Sequence, residues 1–522
     1  MALGGGYFTS QNKILPGAYI NFQSKSVDAA ALTERGYFAI GIKNNWNRED
    51  GVFKVTKDDF YNNSKKIFGY DYSDEKMKGI RDLFKHAHTG FFYILDGNGT
   101  AASCEYGVAT GKGTRGNDLK LVIAVNVDEP DKYNVITYLG TEKVDEQVVS
   151  ASSELVDNGY ITFNKTIGTK YYCWKESALM SPNVYTKIPI EQMINHELYL
   201  TYSYDDSINQ MIENENLIFS SNSNCLEHPE GAGLYLRDPS GDKEIAGNGG
   251  SSNGLTPTAG ISLTGGTDGT ETIERHQDLM DKLESKPINA LGCLSGVEEV
   301  KALYTAYQIR MREERGIKFS LIIQAYAADH EGNINLKNTS SKELLLGATA
   351  GVYWLTGAEA GCEINKTLTN FTYDGEVVLD TDYKQADLQK AIKSGELVFH
   401  NVNEEIRVLD DINSLVTLTE KKNELFKDNQ TIRVIDQVAI DIASLFNDKY
   451  SGKVPNNKDG RVSLWDDIVK QHNKMVQKNA IEEFDKDGIS VSEGEAKDSV
   501  AIFDNITIIG TMKKLYMQVV VR

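Results

Sequence analysis

The sequence predicts a multidomain protein that combines α/β and β domains and carries an extended strand at each end. The chain has 522 residues, which is too long for one hydrophobic core and indicates three or four domains. Residues 93–165 contain short strand-like runs between turn residues, whereas residues 259–412 alternate strand and helix patterns. At the C-terminus apolar residues occupy every second position: Leu515, Met517, Val519 and Val521.

The alternation of apolar residues at the C-terminus implies that this segment pairs with another strand. A strand at a chain terminus must pair its backbone N–H and C=O groups with the edge of a sheet. An extended segment gains most when it adds to the sheet of another subunit. We therefore expect residues 505–522 to form an arm with Gly510 as its hinge. The side chains expected to contact a neighbouring copy are Leu515, Tyr516, Met517, Val519 and Val521.

Residues 1–26 have the same character at the other end of the chain. Two short extended runs, residues 7–14 and 18–22, flank Pro16 and Gly17, which are the expected hinges of an N-terminal arm. The residues expected to pair with a neighbour are Tyr7, Thr9, Gln11, Tyr19, Ile20 and Phe22. Two extended arms on one chain indicate a subunit that assembles with its neighbours, so assembly is the first functional hypothesis.

The first two folded regions differ in pattern. Residues 27–92 predict a small α/β domain, because apolar runs at 37–42 and 91–95 flank a helical pattern at 74–88. Residues 93–165 predict a β-sandwich or barrel, since Asp, Asn and Gly turns separate the strands at nearly regular spacing. Strands are expected at residues 119–127, 133–139, 146–149 and 160–164.

Residues 166–258 are predicted to form an inserted or elaborated surface region. Trp174 and several tyrosines lie among loop-like stretches. The region ends in a Gly/Ser/Asn run at residues 247–254, whose composition is that of a flexible connector.

Residues 259–412 predict an α/β domain with a covered parallel sheet, because strand and helix patterns alternate. Gly316 closes the longest helical pattern, and Arg310 and Arg312 near its C-terminal end suit the helix dipole. Apolar residues at 319–325 form a continuous run, which is typical of a buried parallel strand. The expected elements are helices at residues 276–285, 297–316 and 341–362 and strands at residues 287–293 and 319–325.

Residues 413–504 predict an α+β domain that follows two strands at residues 397–401 and 405–408. An amphipathic helix is expected at residues 431–447, because one of its faces is apolar. That face consists of Ile432, Ile435, Ala439, Ile442 and Phe446. The later elements are a helix at residues 463–478, an acidic loop at 485–498, and terminal strands at 499–504 and 507–522.

Composition excludes several classes of protein. The net charge of −20 disfavours direct contact with nucleic acid or an anionic membrane. We find no apolar run that approaches the roughly 18 residues of a membrane helix. The N-terminus lacks the pattern of a secretory signal, so we expect synthesis and folding in the cytoplasm. The five cysteines are scattered and never form a CxxC pair, which disfavours a disulfide framework and a zinc site.

Candidate chemical motifs do not reach the required spacing. In residues 107–116 three residues, rather than four, separate the first glycine from the Gly-Lys pair, so a turn is favoured over a phosphate loop. Acidic loops at Asp96 and Asp485 lack the EF-hand positions of glycine and glutamate. The α/β region has no G-x-S-x-G, and the side chains of adjacent Asp329 and His330 are expected to point apart. We expect no enzyme activity and no catalytic, cofactor-binding or metal-binding residue.

One charge pattern allows two interpretations. Lys470, Lys474 and Lys478 recur every four residues along the second C-terminal helix, which places three cations on one stripe. A solvated helix face is the simpler interpretation. The alternative is a docking stripe for an acidic partner.

Several strings together resemble the tail sheath protein of contractile-tailed phages and related phage-tail-like particles. They occur in order from end to end of the chain, which makes the set more specific than any single string. The strings are residues 11–22 (QNKILPGAYINF), 113–117 (GTRGN), 263–269 (LTGGTDG), 357–361 (GAEAG), 365–369 (NKTLT), 457–461 (NKDGR) and 515–521 (LYMQVVV).

This resemblance implies a subtilisin-like α/β central domain without a protease site. It also implies six-subunit rings stacked helically around an inner tube, with both arms joining the sheets of adjacent subunits. The sheath would contract when the baseplate triggers it and drive the tube through the target envelope, as in viral genome ejection. The implied partners are other copies of the chain, the inner tube protein, and baseplate and tail terminator proteins, with no cofactor. The implied location is the virion, after synthesis in the host bacterial cytoplasm.

On this resemblance Lys470, Lys474 and Lys478 become the candidate inner-tube contact. Two other classes remain open at this point, namely an α/β hydrolase-like enzyme and a surface-lattice or capsid protein. Helical tubes, a monodisperse enzyme and flat lattices or shells would look different by electron microscopy.

Overall fold

The computed structural model describes residues 34–165, 171–175, 186–189, 200–205, 210–217, 233–237 and 255–521. Mixed β-sheets and α-helices form two compact units in this part of the chain. The first unit contains the residues up to Ile40, Lys78–Gly90 and the residues from Lys286 onward. The second contains Gly41–Met77 and Phe91–Ser285.

The strands are numbered in chain order. They are β1 (Tyr37–Ile42), β2 (Phe53–Thr56), β3 (Thr89–Ile94), β4 (Ala101–Cys104), β5 (Gly107–Lys112), β6 (Leu119–Val125), β7 (Tyr133–Leu139), β8 (Glu142–Val149), β9 (Ile161–Phe163), β10 (Tyr171–Lys175), β11 (Thr186–Pro189), β12 (Leu200–Asp205), β13 (Gln210–Leu217), β14 (Gly233–Arg237), β15 (Thr258–Ser262), β16 (Ala290–Cys293), β17 (Ser320–Gln324), β18 (Asn333–Leu336), β19 (Glu396–Leu397), β20 (Phe399–Val402), β21 (Glu405–Val408), β22 (Ser490–Glu493) and β23 (Val500–Phe503).

The α-helices are numbered in the same way. They are α1 (Lys57–Phe68), α2 (Lys78–His86), α3 (Ile273–Leu283), α4 (Glu298–Glu313), α5 (Gly351–Gly361), α6 (Gln385–Lys393), α7 (Asn429–Leu445) and α8 (Lys458–Gln477). A π-helical turn, Phe446–Tyr450, directly follows α7. None of the helices in the described residues is long and apolar enough to cross a membrane.

A parallel sheet forms the centre of the first unit. Its strands lie in the order β19-β18-β17-β16-β1, and each neighbouring pair is parallel. All residues of β16, β17 and β18 are buried, as expected for strands covered on both faces. The alternating strand and helix pattern correctly predicted a parallel sheet, but β1 was assigned to the separate small α/β domain and the Asn-rich β18 was not expected.

Residues 34–92, most of the predicted small α/β domain, are divided between the two units. Phe38, Ala39 and Ile40 of β1 pair with Ala290, Leu291 and Gly292 of β16 in the first unit. Residues 41–77 belong to the second unit. The bounds of the seven predicted segments stay predictions.

Helix α5 is buried along almost its whole length and packs closely on α2. A Cβ atom at Gly357 would overlap the carbonyl oxygen of Leu83, and one at Gly361 would overlap the carbonyl oxygen of His86. Glycine at these two positions therefore allows the backbones of the two helices to approach each other.

The predicted helix at residues 341–362 was wrong in its first half, because residues 341–350 form a series of turns. The Asp380 carboxylate accepts hydrogen bonds from the backbone N–H and the hydroxyl of Ser341. Buried Glu343 pairs with Lys78 at 2.6 Å, and Gly347 has a φ of 81°. These contacts hold the segment outside the helical conformation.

Helices α7 and α8 form the C-terminal part of the first unit. Asp428 caps α7 by accepting the backbone N–H of Thr431. Two apolar clusters stabilise this part, one around Val434, Met475 and Ile481 and the other around Leu464 and Ile468. Strand β22 lies within the predicted acidic loop at residues 485–498, so that prediction was wrong over Ser490–Glu493. Helix α6 was not expected.

Two sheets of the second unit share one apolar core. The first has the order β15-β6-β7-β8 and the second has the order β4-β5-β9. Trp46 is fully buried in this core, and its indole N–H donates to the carbonyl oxygen of Lys66 at 3.1 Å. The strands of residues 171–237 form a three-stranded sheet, β11-β10-β14, and a β12-β13 pair. The predicted connector at residues 247–254 lies outside the described residues.

The close approach of α2 and α5 leads to a prediction about the stability of the protein. Gly357→Ala should lower the free energy of unfolding by about 1 to 3 kcal/mol, because its methyl group would force the two backbones apart. Urea denaturation of the purified chain measures this loss. Gly488→Ala is the matched control, since a Cβ there meets no atom within 4 Å, and it should change stability by less than about 0.5 kcal/mol. Equal stability of the two variants would contradict the packing argument.

Candidate assembly surface

The C-terminal segment extends into solvent. Leu515 is 85% exposed and Val521 is 88% exposed. Tyr516, Met517, Val519 and Val520 are also exposed. Monomeric proteins rarely expose such a continuous row of large apolar side chains, and such a row marks an interaction site.

The predicted strand at residues 507–522 is not formed. Ile508 makes a single antiparallel bridge with Ile481, and residues 509–521 join no sheet of the described chain. A strand needs an edge to pair with, and this part of the isolated chain finds none. The prediction of a strand at residues 507–522 was therefore wrong for the isolated chain. We call residues 514–521 the C-terminal arm.

The residues before the arm are fastened to α7 and to the segment that follows α8. The backbone N–H of Ile509 donates to the carbonyl oxygen of Ala480 at 3.0 Å, and the Gln430 side chain donates to the carbonyl oxygen of Ile509 at 3.0 Å. The backbone N–H of Thr511 donates to Oε1 of buried Gln430 at 3.2 Å. Gly510, an expected hinge, lies between these two anchored residues.

Lys513 forms the last anchor before the arm. Its Nζ lies 2.7 Å from Oδ1 of Asp410 and 2.6 Å from Oδ1 of Asp428. Partial burial acts to lower the pKa of Lys513, but the two carboxylates outweigh this effect and raise it. Because the folded pKa is raised, this stabilisation is fully present at neutral pH and is lost only in alkaline solution. We call these three side chains the Lys513 clamp.

A buried ion network lies directly behind the clamp. Asp411, next to Asp410, accepts hydrogen bonds from Arg433 at 2.6 Å and from the Leu368 backbone N–H at 2.9 Å. Arg433 also donates to Oε2 of Glu359 at 2.5 Å. The network thereby joins α7 to α5 and to the segment that follows β21.

Burial and charge act in opposition within this network. Burial acts to raise the pKa of Asp411, but Arg433 and several hydrogen bonds hold it below its usual value. For Glu359 burial prevails over Arg433 and raises the pKa. Burial would lower the pKa of Arg433, yet Asp411 and Glu359 raise it well above its usual value, so the guanidinium stays charged.

Strands β22 and β23 form a two-stranded antiparallel hairpin close to α8. Val491 and Val500 pack against the cluster that includes Leu464 and Ile468, whereas Phe503 is exposed. An open groove of about 530 Å³ runs between α8 and β22. It is lined by Lys458, Arg461, Val462, Trp465, Val491, Ser492 and Glu493.

A cluster of possible metal ligands also lies in the first unit. Ligand atoms of Glu313, His330 and Glu331 come within 4.8 Å of one another. However, Nδ1 of His330 accepts the backbone N–H of Gly332, so the neutral ring carries its proton on Nε2, which faces the carboxylates. Lys422 lies 2.8 Å from Glu331 and already neutralises it. The arrangement is that of an ion-pair network.

Comparison with known proteins identifies the chain. Residues 269–414 match the family described as phage tail sheath protein central domain, and residues 421–522 match the phage tail sheath C-terminal domain. Residues 97–173 match the phage tail sheath protein beta-sandwich domain. The chain belongs to the phage tail sheath protein family. It is therefore a sheath subunit and a virion component.

Three sequence relatives of this sheath subunit are informative. The uncharacterized protein YqbK of Bacillus subtilis (strain 168) is 26% identical over an alignment of 538 residues that covers 100% of both chains. The phage-like element PBSX protein XkdK of the same organism is also 26% identical, over 99% of both chains. A tail sheath protein of Clostridium phage phiCD119 is 27% identical over 191 residues, which are 35% of this chain and 52% of that protein.

Two crystal structures share the fold of the sheath subunit. The sheath tail protein of Desulfitobacterium hafniense has a TM-score of 0.69 and 25% identity, and the match covers 96% of this chain and 99% of that one. The sheath tail protein of Listeria innocua has a TM-score of 0.65 and 21% identity, with coverage of 94% and 96%.

The sequence-predicted lysine stripe occupies one end of α8. Lys470 is exposed and pairs with Asp466 at 2.6 Å, and this hydrogen bond raises its pKa. Lys474 is half-buried and contacts Gln471, whereas Lys478 lies exposed at the C-terminal cap of the helix. The three lysines therefore follow α8 as expected, and the charge of Lys470 is already balanced by Asp466.

The other expected assembly residues fall into two groups. Leu515, Tyr516, Met517, Val519 and Val521 lie together on the exposed arm. The N-terminal group lies outside the described residues. That group consists of Tyr7, Thr9, Gln11, Tyr19, Ile20 and Phe22, with Pro16 and Gly17.

Sequence reasoning missed the residues that hold the base of the arm. Lys513 and Asp410 are separated by 103 residues, and no local pattern connects them. Asp428 is the one residue of the clamp that the local sequence signals. It directly precedes the helical pattern of α7, where an Asp side chain commonly caps the helix by accepting a backbone N–H, here that of Thr431.

The buried network makes a second stability prediction. Arg433→Met should lower the free energy of unfolding by about 3 to 5 kcal/mol, because Asp411 would remain buried without its cation and Glu359 would keep only the more distant Arg35. Urea denaturation at neutral pH measures the loss. Arg407→Ala is the control, since its pair with Glu405 is partly exposed, with 30% and 52% of the two side chains accessible, and it should cost about 1 kcal/mol or less. Similar losses for the two variants would refute the importance of the network.

Proposed function

We propose that this sheath subunit polymerises helically around an inner tube and contracts to drive the tube through the envelope of a target cell. The observation that carries this proposal is the C-terminal arm, a row of exposed apolar residues on a firmly anchored base. Such an arm is suited to link neighbouring copies of the chain. The proposed location is a contractile tail, whether of a phage or of a phage-tail-like particle.

The finer parts of the proposal concern architecture and partners. We propose six-subunit rings, an inner tube protein, and baseplate and tail terminator proteins at the ends of the sheath. The central domain would have a subtilisin-like fold without catalysis, and its parallel sheet with covering helices supports this. Genome ejection would need no cofactor and no direct contact of the sheath with nucleic acid or membrane.

The energetics of the arm favour a linked assembly over an isolated pair. About six backbone hydrogen bonds would contribute roughly 3 to 9 kcal/mol. Ordering the backbone would oppose this by about 1 to 2 kcal/mol per residue. The balance is then decided by burial of the apolar side chains on the arm. Many arms acting together give the assembly an avidity that one strand lacks.

The β22–β23 hairpin is the proposed acceptor on a neighbouring copy. A two-stranded sheet gains stability from additional strands, and an extended peptide binds such an edge through backbone hydrogen bonds. The groove beside β22 offers the apolar surfaces of Val462 and Trp465 for side chains of an added strand. The arm and the hairpin together would join neighbouring subunits by sheet extension.

Deletion of residues 514–522 tests the proposed linkage. We expect the truncated chain to stay folded and soluble but to form no ordered sheaths, because the linking strand is absent. Negative-stain electron microscopy under conditions in which the full chain forms tubes is the measurement. Ordered sheaths from the truncated chain would contradict the proposed role of the arm.

Two variants of the full chain control for the loss of length. In one, Leu515, Met517, Val519 and Val521 are replaced by Ser. In the other, Tyr516, Gln518 and Val520 are replaced by Ser. Successive strand residues point to opposite faces, so the first variant should impair assembly more strongly than the second. Equal assembly by both would show that alternation is irrelevant to binding.

The lysine stripe is the proposed contact with the inner tube. Simultaneous reversal of Lys470, Lys474 and Lys478 to Glu should reduce co-assembly with the tube at least about tenfold, while free sheath polymers still form. Co-sedimentation with purified tubes measures this effect. The matched control reverses exposed Lys384, Lys390 and Lys393 around α6, which changes the net charge equally. Unchanged co-assembly of the stripe variant would identify the stripe as a solvated face.

A further inference from the structure

We propose that the Lys513 clamp fixes the base of the C-terminal arm, so that the arm pivots between Lys513 and Lys514 rather than at Gly510. The inference rests on the proposed function in one respect, namely that the arm is donated to a neighbouring copy. The clamp itself is a property of the single chain. It can therefore be tested without assembly.

Three alternate residues fasten the segment before the pivot. Ile509 is held by Ala480 and Gln430, and Thr511 is held by Gln430. The Thr511 hydroxyl also lies 3.2 Å from Oε1 of Gln430. Lys513 continues this spacing through its two carboxylates. Every second residue of the segment thus faces the body of the first unit, as in an extended chain laid along a surface.

The structure changes abruptly after Lys513. Residues 514–521 are all exposed. They form no hydrogen bond or ion pair with the other described residues of the chain. Rotation about the backbone after Lys513 therefore breaks no contact. Rotation at Gly510 would break the bonds of Thr511 and the clamp, although Gly510 itself has open space around it.

The two carboxylates of the clamp are themselves held in place. Asp428 accepts the backbone N–H of Thr431 through Oδ2 and contacts Lys513 through Oδ1. Asp410 accepts the hydroxyl of Thr369 at 2.9 Å. A positioned acceptor loses little freedom when it binds a cation, which strengthens the clamp.

The clamp continues into the buried network and from there into the central sheet. Asp411 follows Asp410 in the chain and binds Arg433, which binds Glu359. The hydroxyl of Ser320 in β17 lies 3.2 Å from Oε1 of Glu359. A mechanical force applied to the arm would therefore be transmitted to α7, α5 and the parallel sheet.

The start of the described chain is tied to the same helix. Arg35 donates to the backbone carbonyl oxygen of Glu359 at 2.9 Å and to that of Cys362 at 2.8 Å. Its guanidinium also lies 3.5 Å from the Glu359 carboxylate. The polar contacts at both ends of the described residues thus converge on α5.

Amide hydrogen exchange in the dispersed, full-length chain tests the clamp. Lys513→Met should accelerate exchange at Ile509 and Thr511 about tenfold or more, because the segment opens locally without its last anchor. Lys513→Arg should restore slow exchange, since a cation is again present. Lys514→Met is the matched control and should leave both amides unchanged.

Two kinds of result would overturn the proposal. The first comes from the variants: exchange at both amides stays slow in Lys513→Met, or it is accelerated equally in Lys514→Met. The other is loss of protection at Ile509 and Thr511 when the wild-type chain assembles, which would place the moving joint before the clamp. Ordered sheaths from the chain that lacks residues 514–522 would instead refute the proposed role of the arm. The exchange experiment would still test whether the Lys513 clamp holds Ile509 and Thr511.

Discussion

The buried guanidinium of Arg433 is the interaction on which the first unit depends. Only 1% of its side chain is exposed to solvent, yet it carries a full charge between Glu359 and Asp411. Charges removed from water in this way are tolerated only when they are paired and hydrogen-bonded. The position of Arg433 therefore requires α5, α7 and the segment after β21 to keep one geometry. The same requirement joins the regions that match the sheath central and C-terminal domains.

Local sequence pattern predicted the elements whose stability is decided locally or by simple burial. Continuous apolar residues identified β16 and β17, and the glycine after α4 marked its end, where Gly316 has a φ of 73°. Helix α7 was also predicted, but of its predicted apolar face only Ile432 is fully buried, whereas Arg433, Val434, Gln437 and Asp441 lie on the buried side. For β16 and β17 burial of an apolar run dominates the free energy, so the hydrophobic pattern was sufficient.

The elements that sequence reasoning missed depend on contacts between distant residues. The turns at residues 341–350 are held by Asp380, and β18 is buried despite its asparagines as a strand paired with β17 on one side and β19 on the other. The base of the arm depends on pairs such as Lys513 and Asp410, which local pattern does not reveal. The arm shows a different difficulty. Its alternation predicted a strand, and that prediction was wrong for the isolated chain, because residues 509–521 pair with no strand edge in the described residues.

The charge of the arm has a consequence for the speed of association. From residue 505 to the end the sequence contains three basic and no acidic residues, although the whole chain carries a net charge of −20. Lys513 is neutralised within its own subunit, whereas Lys514 is exposed. The segment next to the β22–β23 hairpin is acidic, with Asp485, Asp487, Glu493, Glu495 and Asp498. In the proposed linkage, long-range attraction would guide the arm toward this region of another copy while the two anionic bodies repel, and added salt would weaken both effects.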